Sequence, residues 1–254
     1  TPVSDGKTLK MLCITSSFGL NTTQFLYDIA KDPGAENVVI GRLYYSGCKL
    51  VQHVEFANTN APNYEYTKNS TGEWVKKTDI PLIYGLQDED WDIIFMQQGA
   101  HHAGMVQTYK DYIDQLMEYV QSNKTNPNAK LYWHMTWAYQ ADATHPQFPV
   151  YGNNQMTMYT AIVNAVQSKV QYTVVPNGTA IQNARTSYIG DTLTRDGYHL
   201  DYYIGRYIAG LTWYAAITGG SVDDITYNPS SAKITDAVHS RAARNVENLF
   251  IECL

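Results

Sequence analysis

Short apolar runs alternate with longer amphipathic segments along this chain of 254 residues, and this alternation restricts its fold more than any other feature. Strands that alternate with helices form right-handed βαβ units, so the pattern predicts an α/β fold with helices on both faces of a parallel sheet of about five strands. The predicted strands are Leu9–Thr15, Asn37–Tyr44, Trp91–Met96, Lys130–Thr136 and Tyr172–Pro176. The predicted helices are Thr22–Ala30, Thr108–Ser122, Gln155–Lys169, Arg206–Thr218 and Thr235–Leu249.

One stretch departs from this alternation. Tyr64–Lys77 reads YEYTKNSTGEWVKK, and its alternating flanks around a turn sequence predict a β-hairpin inserted between the second and third strands. A long loop is expected at Ala141–Asn153, after the fourth strand, where α/β proteins often bind ligands. No linker separates these segments, so we expect one domain over residues 1–254.

Charge and composition exclude several classes of protein. Eighteen Lys and Arg against 24 Asp and Glu give a net charge of −6, which argues against a nucleic-acid partner. No apolar stretch approaches 18 residues, so no membrane span is expected. The chain starts at Thr1 rather than Met, so either a signal peptide has been removed or the sequence has been trimmed in another way. We expect the first, with the protein periplasmic or extracellular.

Residues that could take part in catalysis cluster just after the predicted strands. A serine after a strand is commonly a helix cap, and each of the other residues also has an ordinary structural explanation. Together, however, they offer a nucleophile, a base with its carboxylate, and hydrogen-bond donors at one edge of the sheet, which is what acyl transfer requires. These residues are Ser17, Gly47, Gln97, Gln98, Trp137, Tyr139, Asp196 and His199.

Five segments that contain these residues resemble the SGNH (GDSL-like) hydrolase superfamily, and within it an SGNH-like group common in gut Bacteroidetes. They read LCITSSFGLN, RLYYSGCKLVQH, WDIIFMQQGA, YWHMTWAYQ and LTRDGYHLDYYIGRYIAG. The last segment, with Asp and His three residues apart before a helix, is the most specific of them. The resemblance covers most of the chain and implies a flavodoxin-like three-layer α/β/α sandwich.

The resemblance implies a catalytic triad of Ser17, His199 and Asp196. The chain has Thr-Ser-Ser where relatives usually have Gly-Asn-Ser, so Ser16 competes as nucleophile, although the register before Phe18 favours Ser17. His199 falls on the position of the general base, and Asp196 falls on the position of its orienting carboxylate.

The resemblance also implies an oxyanion hole formed by the backbone N–H groups of Ser17 and Gly47. The asparagine that usually supplies a third donor has no counterpart, and Gln97-Gln98-Gly99 stands in its place. This sequence resembles the glutamine variant of carbohydrate esterases in the superfamily. We therefore expect Gln98 to be the third donor, with Gln97 as the alternative.

The expected substrates are acylated, chiefly acetylated, carbohydrates or other small-molecule esters. The 21 tyrosines and the glutamine variant favour sugars, and Trp137 and Tyr139 either stack on a sugar ring or pack the loop. No cofactor is implied. The histidines lack the HxxxH and HExxH spacings, which argues against a metal site.

Two other functions remain open at this stage. A catalytically degenerate descendant could bind glycans through the same cleft, because the segment before Ser17 and the third donor both differ from the usual pattern. A flavin or phosphate binder is the other, since Thr15–Ser17 and Asn21–Thr23 resemble a hydroxyl-rich phosphate loop. That second alternative gives Asp196 and His199 no role.

Overall fold

A mostly parallel sheet forms the centre of the protein in a computed structural model that describes residues 7–219 and 221–251. Its seven strands in this part of the chain follow the order β4-β3-β2-β1-β5-β6-β7, and β2, β1, β5, β6 and β7 run parallel. The predicted α/β fold and its five parallel strands are therefore confirmed. The strands are β1 (Thr8–Thr15), β2 (Asn37–Tyr44), β3 (Tyr64–Asn69), β4 (Trp74–Ile80), β5 (Ile93–Met96), β6 (Lys130–His134) and β7 (Thr173–Val175).

Helices cover the sheet in two groups, which gives a three-layer α/β/α sandwich. One group joins α1, α2, α7, α8 and α9, and a second joins α3, α4 and α5. Within the described residues, no helix is long and apolar enough to cross a membrane. The helices are α1 (Ser17–Thr22), α2 (Leu26–Lys31), α3 (Leu50–Thr59), α4 (Leu82–Gln87), α5 (Tyr112–Asn123), α6 (Gln155–Lys169), α7 (Asn177–Arg185), α8 (Ile204–Thr218) and α9 (Asp236–Ile251).

The predicted hairpin is present and extends the sheet. Strand β3 pairs antiparallel with β2, and β4 pairs antiparallel with β3, so the hairpin forms one edge of the sheet. Its turn is closed by the Asn69 side chain, which accepts a hydrogen bond from the N–H of Gly72. Gly72 has a φ of +97°, a conformation that favours glycine.

The segment after β1 differs from the single helix predicted at Thr22–Ala30. It forms two short helices, because the hydroxyls of Thr22 and Thr23 both donate to the carbonyl of Gly19 and end the first helix there. Helices α3, α4 and α7 were not predicted. The pattern did identify α6 with the same bounds as the structure.

The strand register brings the predicted site residues to one edge of the sheet. Thr15 at the end of β1 pairs with Tyr44 at the end of β2, and Ile14 pairs with Met96 at the end of β5. The N–H of Tyr45 donates to the Thr15 carbonyl, which ties the two strand ends together. The residues that follow these three strands therefore surround a common point.

Candidate active site

Ser17, His199 and Asp196 form a continuous chain of hydrogen bonds. Ser17 is the first residue of α1, directly after β1, and its Oγ lies 2.8 Å from Nε2 of His199. The other ring nitrogen of His199, Nδ1, lies 2.7 Å from Oδ2 of Asp196. Ser17 and His199 are 182 positions apart in the sequence, so the tertiary fold creates this arrangement.

The loop that carries Asp196 and His199 is held in place by its own backbone. Oδ1 of Asp196 accepts the N–H groups of Tyr198 and His199, which fixes the carboxylate below the histidine ring. Gly197 has a φ of +90°, and a Cβ there would lie 2.9 Å from Ala143. A side chain at this position would therefore strain the backbone and push the predicted Ala141–Asn153 loop away.

Asp196 is electrostatically suited to remain ionised. Burial alone would raise its pKa, but the hydrogen bonds from the ring and N–H of His199, with that from the N–H of Tyr198, outweigh it. The pKa of Asp196 is therefore lowered below its usual value. An ionised carboxylate can orient the imidazole and stabilise its protonated form.

Ser16 lies on the inner side of the same turn, away from the histidine. Its side chain is buried, and its Oγ accepts a hydrogen bond from Nε2 of Gln97 at 3.0 Å. Oε1 of Gln97 accepts in turn from the hydroxyl of Thr15 and lies 3.0 Å from Nδ1 of His134. Gln97 thus holds the backbone that presents Ser17, and its amide is committed to neighbours inside the protein.

The structure does not support Gln98 as an oxyanion donor. Oε1 of Gln98 accepts the N–H groups of Leu50 and Gly99, and its Nε2 donates to the carbonyl and hydroxyl of Thr108. Both ends of the amide therefore anchor the start of α3 and the turn before α5. The prediction for Gln98 is corrected for this reason, since the side chain joins structural elements and makes no hydrogen bond with the triad.

Gly47 occupies an exposed turn after β2, next to the cavity beside Ser17. It has a φ of +61°, and a Cβ at this position would meet nothing within 4 Å. In the described part of the chain, the N–H of Gly47 has no hydrogen-bond acceptor, whereas the N–H of Cys48 donates to Tyr45. The turn thus leaves one backbone donor available on the side of the sheet where Ser17 lies.

Trp137 and Tyr139 are buried, which corrects their predicted contact with substrate. Their exposed fractions are 0% and 1%, so neither ring can stack on a sugar. Trp137 instead stacks on Phe18 with ring centroids 4.2 Å apart, and its Nε1–H donates to the carbonyl of Tyr198 at 2.8 Å. It therefore packs beside Ser17 and beside His199 at once, which makes it a support for the site.

A cavity of about 350 Å³ opens beside the Ser17–His199 pair. Three arginines line it together with Ser17, Ser46 and His199, and we call it the arginine cavity. These arginines, for which the sequence pattern predicts no role, are Arg42 in β2, Arg195 before Asp196, and Arg206 in α8. One signal was available, because Arg42 is a charged residue inside the apolar run NVVIGRLY.

Two of the remaining histidines are buried parts of the core. His53 lies 2.7 Å from the Tyr64 hydroxyl through Nδ1, and burial lowers the pKa of both His53 and His134 to about 3. Both rings are therefore neutral at physiological pH. Among the side chains that the structure describes, no group of three or more His, Cys, Asp or Glu residues is placed to hold a metal ion.

Comparison with known proteins gives a family and a fold. A family model for DUF4886, a domain of unknown function, matches residues 10–247. A solved DUF4886 family protein from Bacteroides uniformis is 37% identical with a TM-score of 0.91, and the match covers 96% of this chain and 95% of that one. No curated protein matches the chain.

More distant solved structures share the fold alone. A protein of Slackia heliotrinireducens, proposed to be an SGNH hydrolase, has 20% identity and a TM-score of 0.52 over 84% of this chain and 100% of its own. A protein of Parabacteroides merdae, proposed to be a GDSL-like lipase, has 14% identity and a TM-score of 0.55 over 85% and 99%. The SGNH resemblance is thus a distant one, and it is visible in a hydrolase-like fold.

Proposed function

The chain belongs to the DUF4886 family, and from this premise we propose that it is a serine ester hydrolase with Ser17, His199 and Asp196 as its catalytic triad. The observation that carries the proposal is the hydrogen-bonded chain from Ser17 Oγ through His199 to Asp196, at distances of 2.8 Å and 2.7 Å. This is the arrangement of a nucleophile, its base and an orienting group. It lies beside a cavity that can admit a small ligand.

In the proposed reaction, Oγ of Ser17 attacks the ester carbonyl carbon while Nε2 of His199 takes the serine proton. The resulting tetrahedral intermediate collapses, the C–O bond to the alcohol breaks, and His199 returns the proton to the departing oxygen. Water then attacks the acyl-enzyme by the same route and releases the acid. Asp196 holds the proton of Nδ1 throughout, so that Nε2 faces Ser17 as an acceptor.

The oxyanion of the intermediate requires donors on the other side of the carbonyl. We propose the backbone N–H groups of Ser17 and Gly47 for this role. The open turn at Gly47 supports the assignment, since its N–H has no acceptor within the described residues. One such donor is typically worth about 3 kcal/mol of the activation barrier.

Acylated carbohydrate remains the proposed substrate class, now on the basis of different residues. Tyr202 is 57% exposed and lies about 5 Å from the guanidinium groups of Arg195 and Arg206. The half-buried Tyr198 ring lies 4.4 Å from that of His199. Exposed tyrosines at the entrance of a cleft offer the flat apolar faces that sugar rings stack on, with a hydroxyl at the edge.

The test compares wild-type protein with Ser17→Ala on an activated aryl acetate and on a panel of acetylated glycans. We expect turnover to fall by about a thousandfold or more, because the nucleophile is lost. Ser46→Ala is the matched control, since Ser46 lines the same cavity outside the triad and should keep its activity. The preferred member of the panel would identify the substrate class.

Two outcomes would contradict the proposal. Turnover that survives Ser17→Ala would remove Ser17 from the nucleophile role. Absence of turnover by the wild type, combined with equal binding of glycans by wild type and Ser17→Ala, would favour a glycan-binding protein on the same fold. Equilibrium titration of both proteins with the panel glycans distinguishes that result.

A further inference from the structure

Positive charge is concentrated on one wall of the cavity beside the triad. The chain is acidic overall, with a net charge of −6, yet three of its six arginines line this single cavity. Arginine presents a planar fork of donors that matches carboxylate, sulfate and phosphate groups.

Arg42 is the most deeply placed of the three, with an exposed fraction of 5%. Its Nε donates to the hydroxyl of Thr23 at 2.7 Å, and its guanidinium lies 3.3 Å over the ring of Trp74. Its second terminal nitrogen, Nη2, is buried without a hydrogen-bond partner among the described residues. In that same part of the chain, no carboxylate lies within 4 Å of this guanidinium.

Arg206 and Arg195 both lie beside the exposed ring of Tyr202. Their guanidinium carbons lie 4.9 Å and 5.0 Å from its centre. Arg195 reaches Asp196 at 3.8 Å, but that carboxylate already serves His199 at 2.7 Å. Within the described chain, Arg206 forms no ion pair, and its buried Nε has no hydrogen-bond partner.

Asp201 is the nearest carboxylate that could compensate Arg206, and it is occupied elsewhere. Its two oxygens accept the N–H groups of Tyr203, Ile204 and Gly205 at the start of α8. It therefore caps the helix rather than pairing with the arginines. Burial first, and the neighbouring Arg195 next, lower the pKa of Arg206 and outweigh the smaller opposing effects of Tyr202 and Asp201.

The guanidinium of Arg42 is buried without a counter-ion and loses its hydration, which destabilises the folded protein. The half-buried Arg206 and the exposed Arg195 add repulsion between like charges. An anion in the arginine cavity would supply a counter-charge for Arg42 and would reduce the repulsion between the neighbouring guanidinium groups. A neutral sugar or an alkyl chain would do neither. The wall thus has the chemistry of an anion site, and Ser17 and His199 border the same volume.

We propose that the arginine cavity binds an anionic group of the substrate, a carboxylate or a sulfate, and that the enzyme thereby selects acidic esters. This inference rests on the proposed hydrolase function for the reaction but not for the binding of the anion. Because the cavity adjoins Ser17, the charge lies close to the scissile ester. It belongs either to the acyl group, as in a hemiester of a dicarboxylic acid, or to the alcohol, as in an acylated acidic sugar.

Two matched pairs of substrates test the proposal and separate these sources. The 4-nitrophenyl hemiester of succinic acid is compared with 4-nitrophenyl butyrate, and acetylated glucuronate with acetylated glucose. We expect kcat/KM to favour the charged member of one pair by about tenfold or more, the value of one charge-assisted contact. The pair that shows the preference identifies the part of the ester that carries the charge.

Variants of the arginines provide the second arm. Arg206→Gln should reduce kcat/KM for the charged ester about tenfold more than kcat/KM for the neutral ester. Arg42→Gln should do the same, and Arg206→Gln keeps the test valid if the buried Arg42 variant fails to fold. Arg244→Gln, on the exposed face of α9, is the charge-matched control and should keep the wild-type preference.

Direct binding keeps the inference testable if no ester is hydrolysed. Calorimetric titration of wild-type protein should show binding of glucuronate or succinate but not of glucose, weakened by salt and by Arg206→Gln. Equal kcat/KM for charged and neutral esters in both pairs would overturn the inference while leaving the hydrolase intact. No turnover with selective, Arg206-dependent binding of the acid would overturn the hydrolase and keep the anion site.

Discussion

The two walls on either side of Ser17 differ in charge and in packing. One wall consists of Phe18, Trp137, Tyr139 and His134, which are all buried and uncharged. The other is the arginine cavity, where partly unpaired guanidinium groups face an open volume. The hydrogen-bonded chain of Ser17, His199 and Asp196 lies along the boundary between them.

This difference separates the residues that support the site from those that select the ligand. The aromatic wall is buried, and its contacts end on the elements that carry Ser17 and His199. The arginine cavity has space for a ligand and is lined by guanidinium groups, so a change there should alter which substrate binds. Changes in the two walls and at their boundary should therefore have effects of different kinds as well as different sizes.

The largest effect is expected at the boundary, in Asp196→Asn. Asparagine can keep the hydrogen bonds that Oδ1 accepts from Tyr198 and His199, so the loop should remain in place. It replaces the carboxylate at Nδ1, however, and favours the tautomer whose Nε2 carries a proton and cannot accept one from Ser17. We expect kcat to fall by about a thousandfold or more.

Steady-state kinetics of Asp196→Asn should be read beside those of Asp142→Asn. Asp142 is an exposed carboxylate in the neighbouring loop, and its replacement should change kcat by less than about twofold. Thermal unfolding of both variants controls for loss of structure. Activity of Asp196→Asn near that of the wild type would show that the His199–Asp196 contact is not part of the catalytic chemistry.

A smaller effect, on stability, is expected in the aromatic wall. Trp137→Phe loses ring volume beside Phe18 and the hydrogen bond to the carbonyl of Tyr198. We expect unfolding by guanidinium chloride to show a loss of about 2 kcal/mol, with KM for the ester unchanged. Trp213→Phe is the matched control, because this equally buried indole has no partner for its Nε1–H among the described residues.

The difference between these two tryptophan variants isolates the hydrogen bond, and it should be about 1 kcal/mol. A raised KM with unchanged stability in Trp137→Phe would contradict the comparison of the walls. It would restore the substrate contact that was predicted for this ring from the sequence.

Local patterns explain why most of the fold could be predicted. The strands and the Tyr64–Lys77 hairpin follow from runs of apolar and alternating residues, whose period is read directly from the sequence. Helix α7 was missed because its start, Asn177-Gly178, has the composition of a turn. In the structure Asn177 instead donates to the carbonyl of Ala209 in α8, and Gly178 allows close approach to the Thr136 carbonyl.

In the candidate site, too, the local features could be predicted from the sequence and the non-local ones could not. Asp196 and His199 are three residues apart, so their hydrogen bond is local, and Ser17 was placed by its motif. The direction of a side chain after a strand is not local. Gln98 was therefore assigned to the oxyanion hole and Trp137 to the substrate, whereas their side chains turn into the protein. The arginine cavity combines residues from β2, the loop before His199 and α8, which are far apart in the sequence, so no local pattern predicts it. The expected location of the protein remains a prediction.

The smallest effect concerns the charge of His134 in the aromatic wall and appears as a pH dependence of stability. The pKa of His134 is lowered by burial to about 3, whereas an unfolded histidine titrates near 6.5. Below about pH 6.5 the unfolded chain therefore binds a proton that the folded protein does not. The stability of the folded state must fall as the pH is lowered from about 6.5 towards 3.

One histidine of this kind contributes a slope of at most about 1.4 kcal/mol per pH unit. Denaturant unfolding of wild type and His134→Asn at pH 5, 6 and 7 measures it, since asparagine can still donate to Oε1 of Gln97 but does not titrate. The variant should lose stability less steeply between pH 6 and pH 5 than the wild type does. Equal slopes would mean that His134 accepts a proton in the folded state. The aromatic wall would then carry a charge, and the difference in charge between it and the arginine cavity would be lost.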